Sequence, residues 1–422
     1  MGDGTWMGDC DAAQEPLSGR LPGGNTQAMF AAAKSTTIQD VANGDTISLS
    51  ADMVTKRIND NAYTFYGYNG QVPGPAFRVK QGTTATVVFT NNIDLPTTVH
   101  WHGLRHDILD DGVPDVSQKA VQPGESHTYT LFFPDDGIYW YHPHVREDIQ
   151  QDAGLAGNIL VVPTEGYNPV TVEELVMLDD ILIENGALVP YGEQSGNFGV
   201  MGRFGNVMLA NGETNYELTV QKGAVVRFYF TNVANVRPFN IELPGATMKL
   251  VGSDLGEYER EEFVRSVLLA PAERAIVDVL FEEPGVYPLQ HRTPNKAYHL
   301  GLITVLDEPV STSHKDSFTN DTLNEAVRAE IASFEPYFAM PVTKTYTLDM
   351  SMHGMTMAGM GMMRGHNDDG IEWEDDMQMR TPEGAVQWLL RDEQGRSNEN
   401  AGMSATVGEK IKLRFVNPAS GM

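Results

Sequence analysis

A single cysteine, Cys10, in 422 residues excludes an internal disulfide, a cysteine-rich zinc site and an iron–sulfur cluster. Basic residues are also scarce: 29 Lys and Arg stand against 57 Asp and Glu, a formal net charge of −28. Nucleic-acid binding needs clustered Lys and Arg that displace counterions, so a phosphate backbone is not an expected partner, and the acidic excess reads as a solvated surface. No run reaches the ~18 to 20 apolar residues of a membrane-crossing helix, so no transmembrane segment is expected. Met1 to Gly24 is rich in Gly and Asp and lacks the hydrophobic stretch of an export signal. What the chain does have is 41 Gly, 23 Pro and 41% hydrophobic residues, enough to fill several cores over a length that suggests two to four domains.

Internal repetition is the next signal. Gly82 to Asn91 reads GTTATVVFTN, Gly223 to Asn232 reads GAVVRFYFTN and Gly408 to Asn417 reads GEKIKLRFVN. In each copy a turn glycine precedes an alternating β-branched and aromatic run, with Phe seven and Asn nine residues after the glycine, which predicts a strand followed by a turn. A second pattern pairs Gly137-Ile138-Tyr139 with Gly285-Val286-Tyr287, each leading into a histidine-containing segment. Short strands broken by Gly, Pro, Asn and Asp, in a unit of about 140 residues, predict repeated all-β sandwiches. A flexible segment is expected over 1–35, a first domain over 36–165 and a second over 166–306. A linker with the helix-compatible run LNEAVRAEIASF is expected over 307–343, and a third, partial domain over 344–422.

The first unit carries His100-Trp101-His102-Gly103 and, forty residues later, His142-Pro143-His144. Side chains two residues apart on a strand share a face, so each His-x-His presents two imidazoles together. Four of the eleven histidines fall into these two pairs. Two such strands side by side offer four nitrogen donors, a set suited to copper, zinc or iron.

NGQVPGP at 69–75, HWHG at 100–103, DDGVP at 110–114, YWYHPH at 139–144 and AGNILVV at 156–162 closely resemble the first cupredoxin domain of the three-domain multicopper oxidases. That family includes laccases and bacterial copper-efflux oxidases, and the resemblance runs from about Asp45 to the end of the chain. It implies tandem cupredoxin-like Greek-key β-sandwiches, two complete and a third partial. It implies copper as cofactor, with His100 on the type 2 ion and His102, His142 and His144 on the type 3 pair. The activity implied is oxidation of phenols, amines or Cu(I), with four electrons passed to dioxygen to make water. Acidic residues near the cluster supply protons in this family, and Asp111 sits where that role is expected; a turn-stabilising Asp in DDG is the plain alternative. The resemblance also implies a periplasmic or secreted protein.

The second unit is an internal control. Five and seven residues after Gly285 stand Gln290 and Arg292 in place of His142 and His144; eighteen and twenty after Gly223 stand Ile241 and Leu243 in place of His100 and His102. A copper-free domain is expected, with His291 and His299 as polar residues of a structural or domain-facing surface. In the third copy the same offsets from Gly408 fall at 426 and 428, past Met422. The expectation is therefore half of a trinuclear site, no type 1 copper in this chain, and no oxidase activity from the chain alone. Cys10, with no histidine before His100, is expected to be an exposed thiol.

Residues 350–363 read MSMHGMTMAGMGMM, and thioether sulfur is a soft ligand that favours Cu(I). Met350, Met352, Met355, Met357, Met360, Met362 and Met363 are thus candidate Cu(I) ligands, with His353 and His366 as additions; a biased surface loop is the alternative. Two further functions stand beside the oxidase: a non-enzymatic copper-binding or sequestering protein, and a scaffold that has lost copper. Retention of all four histidines weighs against the last.

Overall fold

The computed structural model describes residues 30–164, 167–191, 195–320, 323–352, 371–374 and 386–417. Strands dominate, as the repeats predict. The chain divides into two compact units: Met1–Tyr191 with Phe204–Asn324, and Gly192–Arg203 with Glu325–Met422.

The first unit holds two sandwiches. In the first sandwich, Ile38–Val41, Ala76–Lys80, Gly157–Val162, Gly137–His142 and His100–His102 lie side by side in one sheet. Asn61–Tyr68, Thr46–Ile58, Thr84–Asn91 and Ser126–Phe132 form the facing sheet. Strict alternation along Thr84–Asn91 turns Ala85, Val87, Phe89 and Asn91 inward, where they meet Trp101, Tyr129 and Tyr141. The second sandwich repeats the plan with sheets of six and five strands. Its central strand Ala224–Asn232 is buried along its whole length. One face fills its own core through Val226, Phe228 and Phe230, while Tyr229 packs with Ile276 against Ile138 and Leu160 of the first sandwich.

The glycine-to-asparagine repeat is a recurring piece of architecture. Gly82 and Gly223 both take φ +82°, a left-handed turn that glycine adopts without strain, and Gly408 takes φ +90°. In all three copies the strand that follows pairs in parallel with an earlier strand of its own unit: Thr86 with Thr46, Val226 with Val172, Leu413 with Lys344. The asparagine closes the turn. Asn91 Nδ2 donates to the carbonyls of Leu95 and Val121, both at 2.8 Å, and its Oδ1 accepts from the Ile93 N–H at 3.0 Å. Asn232 does the same with Arg237 (2.8 Å), Leu269 (3.0 Å) and Ala234 (3.0 Å).

Two differences from the sequence reading concern the segment taken as linker. The strand Ala297–Pro309 runs past 306, and residues 315–320 pack on the second sandwich. Phe318 is buried against Val225 and Leu280, and the buried Lys249 ammonium donates to the carbonyls of Phe318 and Asn320 at 2.9 and 2.8 Å. An amphipathic helix can be seen in sequence; a short turn seated by one lysine cannot. The helix-compatible run forms Glu325–Phe338 and carries Pro336 within it. In the second unit, Lys344–Met352 lies between Val386–Asp392, antiparallel, and Leu413–Val416, parallel. No helix among the described residues is long and apolar enough to cross a membrane.

Candidate metal centre

The strand His100–His102 is the outermost of its sheet and pairs antiparallel with Gly137–His142, which sets His100 opposite His142 and His102 opposite Trp140. Alternation decides the rest: Trp101 turns into the core between Tyr129 and Tyr141, and the two flanking histidines turn the other way, half-buried. After His142 the chain leaves the sheet at Pro143, and the His144 N–H donates to Thr98 Oγ1 at 3.2 Å, so the fourth imidazole is held on the same side.

The four rings converge. His100 lies 4.5 Å from His144 and 5.5 Å from both His102 and His142, centroid to centroid, and His142 lies 5.2 Å from His144. Nitrogens of His100, His102 and His142 all fall within 4.8 Å of one another. The hydrogen bonds then settle the tautomers. His100 Nδ1 is 2.7 Å from the Asp111 carbonyl, His142 Nδ1 is 3.0 Å from the Pro143 carbonyl, and His144 Nδ1 is 2.6 Å from Glu147 Oε1. Each of these partners only accepts, so Nδ1 carries the proton and Nε2 keeps its lone pair. His102 Nδ1 faces His142 Nε2 at 3.2 Å, where either a proton or a cation can sit between the two nitrogens.

Burial first, then the neighbouring imidazoles, hold His142 well below the usual histidine range. Burial followed by the positive charge of Arg274 brings His102 down to about 3, and burial also lowers His100. His100, His102 and His142 are therefore neutral donors at physiological pH. Imidazoles with one ring nitrogen tied off and the other free suit copper, and the residues present fit that ion.

Several residues around the rings were not singled out in the sequence. Trp140 stacks on His142 at 4.0 Å and 15° and walls off His102 at 5.0 Å. Glu147 orients His144. Arg274 comes from the second sandwich; its Nε donates to the Ile138 carbonyl at 2.9 Å, and a Cβ on Gly103 would lie 3.0 Å from its Nη2. The only sequence signals were an aromatic within YWYH and a carboxylate three residues after a histidine, neither specific. Arg274 has no local signal at all.

Asp111 reaches His100 through its carbonyl and also sets its carboxylate Oδ1 3.4 Å from His100 Nδ1. The turn-stabilising work goes to its neighbours: Asp107 Oδ1 accepts from the Leu109 N–H at 3.0 Å and Asp110 Oδ1 from the Thr130 N–H at 2.8 Å. Gly112 presses the loop onto the sheet with φ +74°, because a Cβ there would meet the Val99 carbonyl oxygen at 1.8 Å.

In the second sandwich the pairing corrects the residue count. Ile241 faces His291, as His100 faces His142, one residue later than counting from Gly285 places the partner. His291 is fully buried, accepts from the Asn240 N–H at 3.0 Å and stacks on Tyr298, so it belongs to the core and not to a surface. His299 is exposed and bonds Asn215 at 2.7 Å. Met350 and Met352 lie on the strand Lys344–Met352. Met355, Met357, Met360, Met362, Met363, His353, His366 and Cys10 lie outside the described residues.

Two family models, each described as multicopper oxidase, match residues 51–166 and 171–305. The copper resistance protein A homolog of Pseudomonas syringae pv. tomato is 28% identical over 297 residues, covering 59% of this chain and 49% of that protein. The laccase abr2 of Aspergillus fumigatus is 35% identical over 127 residues, 29% of this chain and 21% of that protein. A crystal structure of a multi-copper oxidase from Pseudomonas thermotolerans aligns with a TM-score of 0.60 at 27% identity, over 77% of this chain and 78% of the other. The chain spans about half the length, or less, of the curated relatives it matches.

Proposed function

The chain belongs to the multicopper oxidases, and from that premise we propose that it supplies one half of a copper cluster at which dioxygen is reduced at the expense of a small reductant. The observation that carries this reading is the convergence of His100, His102, His142 and His144 from two paired strands, with three Nδ1 atoms tied to acceptors. By family resemblance His100 would hold the type 2 ion and the other three the type 3 pair. Copper bound there would relay electrons from the reductant to dioxygen, which takes up four electrons and four protons to give two waters.

The chain's own residues shape that chemistry. The Asp111 carboxylate, one-third exposed and 3.4 Å from His100, is placed to hold a proton between solvent and the pocket. Glu147 and the Asp111 and Pro143 carbonyls keep His144, His100 and His142 in their donor tautomers. Trp140 and the buried edge of the sheet exclude water behind His142. The reductant would be a phenol, an amine or Cu(I); methionines from 350 onward favour Cu(I) as substrate, since thioethers select that ion.

The test is copper stoichiometry and the electron paramagnetic resonance spectrum of the full chain after loading. Copper held by nitrogen donors, and lost in His100→Ala and His142→Ala but not in His299→Ala, is the expected result. Equal copper content in all four proteins would remove the basis of the proposal.

A further inference from the structure

His106 plays no part in the reading so far, yet its side chain is only 2% exposed. Both of its ring nitrogens are buried, and among the described residues neither has a hydrogen-bond partner at ordinary distance. Buried polar atoms are nearly always paired, so an imidazole left this way calls for a reason. One group stands in front of it: Asp111 Oδ1, 3.4 Å from His106 Nε2. The same oxygen is 3.4 Å from His100 Nδ1, whose proton is already committed to the Asp111 carbonyl at 2.7 Å. An ionised carboxylate only accepts, and the donor left to hold it on this side is the His106 ring.

We propose that His106 is a positioning residue for the metal pocket. Its Nε2–H holds the Asp111 carboxylate beside His100, and a contraction of a few tenths of an ångström makes the 3.4 Å approach an ordinary hydrogen bond. Without it, a carboxylate that is 33% exposed is free to turn to solvent. The negative charge beside the Nδ1–H of His100 makes Nε2 a better donor to a cation, so His106 acts on metal binding through Asp111. This rests on the reading of His100 as a metal ligand.

The experiment titrates Cu(II) into the full 422-residue chain against a competing chelator. His106→Phe removes both nitrogens at similar bulk, and His106→Gln keeps a donor. The dissociation constant is expected to rise about 10-fold or more in His106→Phe, to recover largely in His106→Gln, and not to rise further when His106→Phe is added to Asp111→Asn. The metal-free chain, labelled with nitrogen-15 at histidine, should show His106 neutral and protonated at Nε2, with that resonance moving in Asp111→Asn. Copper bound as tightly by His106→Phe as by wild type, or an unresponsive His106 resonance, overturns the proposal and leaves the copper reading standing. A wild-type chain that binds no copper while the resonance responds overturns the copper reading and the positioning role together, and leaves only the His106–Asp111 contact.

Discussion

Replacing Asn91 by alanine should be among the most damaging single changes in the first sandwich, although the residue touches nothing functional. It is fully buried, and its side chain makes three backbone hydrogen bonds, two to Ile93 and Leu95 of the turn that follows and one to the Val121 carbonyl on a distant segment. Each such bond contributes about 1 kcal/mol net, and a buried group left without a partner costs about 1–3 kcal/mol. Alanine removes all three bonds and strands the Leu95 carbonyl and the Ile93 N–H, while the Val121 carbonyl keeps the Thr97 N–H at 3.0 Å, so a loss of about 3–5 kcal/mol is expected, near the upper end for a point change. Urea unfolding followed by tryptophan fluorescence reports on this sandwich directly, because Trp101 and Trp140 are both in it. Asn92→Ala is the control: its Nδ2 bonds Asp52 at 2.8 Å on an exposed surface, and it should cost less than about 1 kcal/mol. Asn232→Ala should reproduce the large loss in the second sandwich. Comparable midpoints for Asn91→Ala and Asn92→Ala would refute the claim that the repeat is preserved by these bonds.

Three further outcomes are expected. Arg227 and Asp278 form a buried two-bond ion pair, both contacts 2.7 Å, so Arg227→Met alone should destabilise by about 3–5 kcal/mol, and adding Asp278→Leu should recover part of it; the double variant being worse than the single in thermal unfolding would contradict this. His291 is lowered to about 4, by burial first and then by the charge of Arg237. The unfolded chain thus binds the extra proton between about pH 4 and 6.5, and stability rises with pH across that window by about 3 kcal/mol. His291→Gln should flatten that acid slope in urea titrations, and an unchanged slope would count against it. Gly112→Ala places a Cβ 1.8 Å from the Val99 carbonyl, whereas Gly124→Ala, at φ +83°, meets nothing within 4 Å. Both carry the cost of a left-handed backbone, about 1–3 kcal/mol, but only Gly112→Ala should also weaken Cu(II) binding, as read by chelator competition.

Much of the fold could be read from the chain because its signals are local and repeated. A turn glycine, a strand and an asparagine nine residues on recur in two sandwiches, and each asparagine donates to two carbonyls and accepts from the N–H two residues on. The histidine pairs were legible for the same reason: a period of two on a strand puts both rings on one face. What could not be read depends on distant chain segments. Arg274 reaches Gly103 across the two sandwiches, and nothing near either residue announces it. His291, not Gln290, stands in register with Ile241, and residue counting without gaps cannot see a shift of one position. Nothing in the sequence marks His106, because burial is a property of the folded loop and not of its composition.

The second sandwich carries none of the four imidazoles, yet the strand that presents His142 is fastened to it. Arg274 donates to the Ile138 carbonyl, Gln151 Nε2 donates to the Val233 carbonyl at 2.7 Å, and Ile138 and Leu160 share a core with Tyr229 and Ile276. A cation that binds only the folded histidine pocket adds its binding free energy to everything that must open with that pocket. Amide hydrogens along Ala224–Asn232, far from any ligand atom, should therefore exchange more slowly once copper is bound. The half without these imidazoles acts as the foundation on which the affinity of the other half is set, so substitutions deep in the second sandwich should read out as changes in copper occupancy.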